Sequence, residues 1–209
     1  MSEFGYIPES PAQSPFNNKG IFTPKDIYDL DSADKWTQLG QLELLQTQTV
    51  SSAVVDFTSL QENIYAVHFF TFLDINVTTQ TEFGYRLSDD GGSTFETGYE
   101  FANQRGNGSN SFDERKSLSQ NSGRLGGDIT TDAHSVFNGY MYLYNAGNSA
   151  RWTYSTSLSS FIQTSTQETE IGSCLYPQLS VINGIRFGEG TGVTALTSGT
   201  ISCYGIRGY

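Results

Sequence analysis

The stretch "YRLSDDGGSTFETGYEF", residues 85–101, decides the fold class. Tyr85-Arg86-Leu87 and Tyr99-Glu100-Phe101 alternate apolar with polar residues, the two-residue period of a strand with one buried face. Between them stands Asp89-Asp90-Gly91-Gly92, a strong short hairpin signal. Glycine takes positive φ without a Cβ clash, and aspartate accepts hydrogen bonds from the amides that follow it. The stretch therefore reads as a β-hairpin, with Phe95 packing under the turn.

The same residues, Ser88, Asp90, Gly92, Thr94 and Phe95, fit the S-x-D-x-G-x-T-aromatic spacing of an Asp box. That box recurs in sialidase propellers and other sugar-processing proteins. A propeller needs it again every 40–50 residues or so, and the chain holds one copy. Each residue already has a task in folding the turn, so the reading is structural, with neither a substrate nor an essential metal at Asp90.

Outward from this stretch the chain continues as strands and turns. Residues 38–47, 51–57, 64–77, 81–88, 96–102, 136–146, 150–158, 179–188 and 198–207 are rich in β-branched and aromatic residues. Nine short strands 10–15 residues apart predict an all-β antiparallel sandwich, jelly-roll-like, over residues 37–209. "IYAVHFFTFLDINV" (64–77) is apolar on both parities, as in a strand covered on both faces. Residues 103–135 break the rhythm. They are polar and glycine-rich and carry Arg105, Arg115, Lys116 and Arg124, and they read as a long loop, either solvated or contacting a subunit or ligand.

Residues 1–36 differ. They hold four of the five prolines, and Phe4, Tyr6, Ile7, Phe16, Ile21 and Phe22 follow neither strand nor helix period. Such a segment closes no core of its own. It reads as an extended anchoring arm whose apolar side chains fit pockets on a partner. A short helix is expected at 23–30, with Thr23 as N-cap, Pro24 first in the helix and Asp26 in the first turn.

Composition narrows the function. Gly is 22 of 209 residues and charged residues are 16%, against averages near 7% and 25%. The formal net charge of −11 repels phosphate backbones and anionic bilayers, so neither nucleic acid nor a membrane is expected as partner. No secretory leader and no membrane span of about 18 apolar residues is found, and synthesis in a cytosol is expected. Cys174 and Cys203 lie in apolar runs and read as small buried hydrophobes. With two histidines, His68 and His134, and no C-x-x-C pair, no metal site and no cofactor is expected.

Glycoside hydrolysis needs two carboxylates flanking a cleft. Asp74, Glu82, Glu96, Glu100, Asp128 and Asp132 are available, but no motif singles one out. Arg86, Arg151 and Arg186 would have to converge on an acidic sugar. A non-enzymatic role is expected. Tyr140, Tyr142, Tyr144, Trp152 and Tyr154, on two neighbouring strands, suit stacking on sugar rings or on a protein, or packing against a second sheet or a symmetry mate.

Three segments carry a resemblance: "GYIPESPAQSPFNNKGIFTPKDIYDL" near the start, "YRLSDDGGSTF", and the close "NGIRFGEGTGVTALTSGTISCYGIRGY". With these the chain resembles virion structural proteins of tailed bacteriophages, above all tail-fibre-like proteins of cyanophages and marine phages. The resemblance implies a homotrimeric β-sandwich subunit of a virion appendage, assembled in the bacterial cytoplasm, docked on other virion proteins by the arm and touching a host surface glycan. The chain lacks coiled-coil heptads and a shaft repeat, which keeps a capsid decoration or head-fibre role beside the tail-fibre one. A carbohydrate-processing enzyme is the third alternative.

Overall fold

The structure is a computed structural model that describes residues 13–14, 17–18, 23–32, 42–132, 134–189 and 196–207. The chain divides into two compact units, Met1–Gln41 and Leu42–Tyr209. In the first, β1 (Gln13–Ser14) pairs with β2 (Asn17–Asn18), and α1 spans Pro24–Ser32. The helix begins as its sequence predicts. Thr23 Oγ1 accepts the Asp26 N–H at 3.2 Å, and Asp26 Oδ2 accepts the Thr23 N–H at 2.8 Å. This is a reciprocal capping box with aspartate in the third position. The arm residues Phe4, Tyr6, Ile7, Phe16, Ile21 and Phe22 lie outside the described residues.

The second unit is a sandwich of two antiparallel sheets, as its alternating sequence predicts. Its strands are β3 (Glu43–Thr49), β4 (Val55–Phe57), β5 (Val67–Val77), β6 (Thr81–Ser88), β7 (Tyr99–Asn107), β8 (Phe112–Gln120), β9 (Gly123–Ile129), β10 (Phe137–Tyr144), β11 (Thr153–Gln163), β12 (Thr166–Tyr176), β13 (Gly184–Glu189) and β14 (Leu196–Ile206). The large sheet runs β3-β14-β5-β10-β11-β12-β7-β8 and the small one β4-β13-β6-β9. Without β7, β8, β11 and β12, the orders β3-β14-β5-β10 and β4-β13-β6-β9 remain. Those eight strands form the two interlocked Greek keys of a jelly roll. The hairpins β7–β8 and β11–β12 are insertions that widen one sheet beyond the other.

Alternation explains the core. On β5, Phe70 and Phe72 point inward, and Phe83 on β6 and Phe187 on β13 meet them from the small sheet. Ring centroids lie 5.1 Å apart for Phe70–Phe187 and 5.3 Å for Phe72–Phe83, both edge-to-face. The edge-to-face geometry aligns ring quadrupoles and adds about 0.5–1.5 kcal/mol per pair beyond burial. Where β9 crosses beneath β11, small residues let the sheets approach. A Cβ on Gly126 would come within 2.7 Å of Phe137. Opposite it, the buried Ser159 hydroxyl donates to the Leu125 carbonyl at 2.9 Å.

Residues 103–135 correct the sequence reading. They are strands, not a loop, and β12 was also missed. β8 is an edge strand with little to bury, so its sequence carries no apolar alternation. The inner faces of β7 and β12 are built from ion pairs instead. Arg124 on β9 donates from Nε to Glu170 Oε1 at 2.8 Å and also reaches Glu82. Asn103 donates to the same Glu170 oxygen at 2.8 Å. Arg105 lies 2.9 Å from Asp113, 3.6 Å from Asp128 and 3.6 Å from Glu168. Polar sequence here marks a charged interior rather than a solvated loop.

Cys174 and Cys203 are free and buried. β12 and β14 stand four strands apart in the sheet order, roughly 19 Å at about 4.8 Å per strand, so no disulfide can form between them.

Removing one member of a buried ion pair strands the other. Glu170→Ala should destabilise the fold by about 3 kcal/mol, at the low end for such losses because Glu82 still holds Arg124. Urea unfolding measures it. Pairing Glu170→Leu with Arg124→Met should recover most of the loss.

Candidate functional site: an uncharged aromatic sheet face

The Asp box is the first site to place. Asp90 Oδ1 accepts the Thr94 N–H at 2.9 Å and the Ser88 hydroxyl at 2.8 Å, and Oδ2 accepts the Thr94 hydroxyl at 2.8 Å. These donors hold its carboxyl down, at about 2. Gly91 and Gly92 take φ of 72° and 89°. The motif is a turn, yet it joins no hairpin. β6 lies in the small sheet and β7 in the large one, so the box turns the chain from one layer to the other. The strand pairing expected between the flanks is replaced by Tyr99, whose buried hydroxyl oxygen accepts the Leu87 N–H at 2.6 Å. Asn183, which no sequence signal marked, clamps the turn. It accepts the Gly91 N–H at 2.8 Å and donates to the Asp89 carbonyl at 3.1 Å. Phe95, expected to be buried, is half-buried. The Arg186 guanidinium covers its ring with the central carbon 3.9 Å from the centroid, close enough for a cation–π contact.

The other candidates scatter. Arg86 and Arg186 stand opposite one another on β6 and β13, and Arg186 grips Asp56 with two bonds of 2.7 Å. Arg151 lies in the β10–β11 turn, so the three arginines do not converge. Glu82 and Asp128 belong to the interior ion pairs. Asp132 caps the backbone N–H of His134 at 3.0 Å. His68 is buried, Nε2 lies 2.6 Å from the Leu60 carbonyl, and burial lowers its pKa. Among the described residues, no group of three or more His, Cys, Asp or Glu gathers as metal ligands would.

The aromatic stripe does come together, on the outside of the large sheet. Met141 and Leu143 face the core, so Tyr140, Tyr142 and Tyr144 face away from the small sheet. Packing against the second sheet is thereby ruled out. Tyr154 continues the row on β11, opposite Tyr144. Two residues beyond the predicted set complete the cluster: Phe69 on β5 and Tyr204 on β14. Phe69 sits at its centre, 4.6 Å from Tyr142, 5.8 Å from Tyr140 and 6.0 Å from Tyr204. Leu44, Leu73 and Ile171 widen the patch, each more than 45% exposed. The signal for Phe69 was present in the double-parity run 64–77.

This face carries no charge. β10, β11 and β14 contain no charged residue, and the two glutamates of β12, Glu168 and Glu170, point inward. Residues 67–73 of β5 hold none of the 11 basic and 22 acidic residues of the chain. A solvated sheet face ordinarily alternates apolar-in with polar-out.

Neither protein-family models, nor curated proteins, nor solved structures match this chain.

The turn makes two predictions. A Cβ on Gly91 would meet nothing, whereas one on Gly92 would come within 2.7 Å of Thr58 Cγ2. Gly91→Ala should cost about 1 kcal/mol for its left-handed φ, and Gly92→Ala about 2 kcal/mol or more once the clash is added. Chemical denaturation compares them. Asp90, with a folded pKa below its ordinary 3.8, contributes stability that is full above pH 3.8 and is lost as pH falls through about 2. The acid-unfolding difference between wild type and Asp90→Ala should close over that window.

Proposed function

We propose that this chain is a non-enzymatic structural subunit of a bacteriophage virion, a fibre-like appendage protein that assembles with copies of itself across the tyrosine-bearing face of its large sheet. The observation that carries the reading is β5, apolar on both faces. Phe70 and Phe72 are spent on the jelly-roll core, and Val67, Phe69 and Leu73 are left outside with the tyrosines. Five adjacent strands present that uncharged surface. At about 4.8 Å between strands and about 3.3 Å per residue, its plan area is on the order of 500 Å². Side-chain relief raises the accessible area toward the ~800 Å² per partner of a stable interface.

A second copy is the occupant that the charges favour. The chain carries −11, so two copies repel one another over most of their surface. Contact across the uncharged face buries no unpaired charge, and tyrosine is enriched in such interfaces because its ring is apolar and its hydroxyl satisfiable. The buried arginines and carboxylates are engaged with one another and hold strands together, which agrees with a structural role. The phage assignment and the trimer follow from the resemblance of the sequence segments, and docking by the first 36 residues onto other virion proteins belongs to the same reading.

Light scattering on the purified chain should give three times 23.0 kDa. Tyr142→Glu, which places a carboxylate at the centre of the face, should weaken association by about two orders of magnitude or more while the β circular dichroism spectrum persists. A wild-type chain that stays monomeric at tens of micromolar would overturn self-assembly. Density for the chain in a particle map, on the tail or on the head, tests the virion assignment separately.

A further inference from the structure

We infer that the turn between β10 and β11 forms a saccharide site whose chemistry selects a pyranose bearing a carboxylate. A cleft of about 320 Å³ opens there, lined by Asn145, Ala150, Arg151, Trp152, Tyr154 and Leu179. That volume is at the small end for ligand sites and suits a single ring better than an extended chain. It lies at the margin of the aromatic face and shares only Tyr154 with it, so the inference goes beyond the self-assembly reading and does not depend on it.

Three features of the cleft point to this ligand. The first is its apolar wall. Trp152 is 44% exposed and Leu179 63%, and among the described residues no aromatic ring stacks on the indole. A broad open indole with a polar edge is suited to the C–H face of a sugar ring. The second is a free cation. Arg105, Arg115, Arg124, Arg186 and Arg207 all hold carboxylates, and Arg86, which holds none among the described residues, is half-buried on β6 with its Nε out of reach of solvent. Arg151 is exposed and holds none among the described residues. In a chain with twice as many acidic as basic residues, an unpaired guanidinium beside an open indole is a local reversal of charge. Its planar fork matches a carboxylate with two parallel hydrogen bonds.

The third feature is rigidity. The Asn148 N–H donates to the Asn145 carbonyl at 3.0 Å, the Arg151 N–H to the Asn148 carbonyl at 3.1 Å, and the Ala150 N–H to Asn148 Oδ1 at 3.0 Å. Asn145 takes a φ of 65° and donates its side-chain amide to the Trp152 carbonyl at 3.1 Å. The opposite wall is tied in by the Ile182 N–H, which donates to the Ala146 carbonyl at 2.8 Å. A loop fixed in advance loses little entropy when a ligand binds. The Asn145 amide oxygen remains as an acceptor for a sugar hydroxyl.

The test uses the full-length chain and three probes: methyl glucuronide, methyl glucoside and N-acetylglutamate amide. Saturation-transfer NMR and calorimetry read binding. We expect methyl glucuronide to saturate with a Kd on the order of 1 mM and methyl glucoside to bind about tenfold more weakly. Arg151→Gln should abolish the preference and leave the neutral sugar unchanged, and Trp152→Ala should weaken both sugars at least tenfold. Thermal unfolding of each variant checks that it remains folded. No saturation by either sugar overturns the inference, and so does sugar binding indifferent to both substitutions. N-acetylglutamate amide binding as tightly as the glucuronide also overturns it, since the cleft would then recognise a carboxylate without a sugar.

Discussion

β5 is the strand on which the rest of the structure depends. It lies third in the large sheet, between β14 and β10, and its side chains are apolar in both directions. The inward set nucleates the ring cluster that joins the sheets, with Phe70 and Phe72 against Phe83 and Phe187. That cluster fixes the register of the small sheet, because a slip by one residue would turn every inward ring to solvent. The outward set has no such counterpart among the described residues. Of the two apolar faces of this strand, the jelly-roll core covers one.

Two kinds of interior hold the layers together, and they divide the molecule along the large sheet. Under β14, β5 and β10 the interior is largely aromatic, with His68 as its one buried imidazole among the described residues. Under β12 and β7, beside the buried Tyr99, Cys174 and Tyr176, part of the interior facing β9 is ionic. Arg105 and Arg124 meet Glu168 and Glu170 there. Such pairs are weak sources of net stability because desolvation offsets their attraction. They are exacting about geometry, however, and so position the inserted hairpins on the jelly roll.

What could be read from the sequence follows the same division. Where burial is apolar, alternation made the strands legible, and β5, β6, β10, β11, β13 and β14 stand close to where their patterns put them. Where burial is ionic or the strand lies at an edge, hydrophobic pattern carried no signal. β8, β9 and β12 passed for loop or went unread because Arg124, Glu168 and Glu170 look like surface residues. The Asp box gave the correct local turn and the wrong partner for it. Local turn chemistry reports how the chain bends, and which layer it enters next depends on long-range pairing. The aromatic stripe was visible as a period of two, yet Phe69 and Tyr204 joined it only through the sheet order.

β8 ends the large sheet with Asp113, Glu114, Arg115 and Lys116 in succession. A strand bearing four adjacent charges is a poor template for another strand. Head-to-tail joining through this sheet would set β3 of one copy against β8 of the next, and the charges oppose it. The large sheet therefore cannot lengthen into an open-ended ribbon from copy to copy. The charged edge guards the sheet against growth by strand addition and leaves its faces, not this rim, as the surface open to contact.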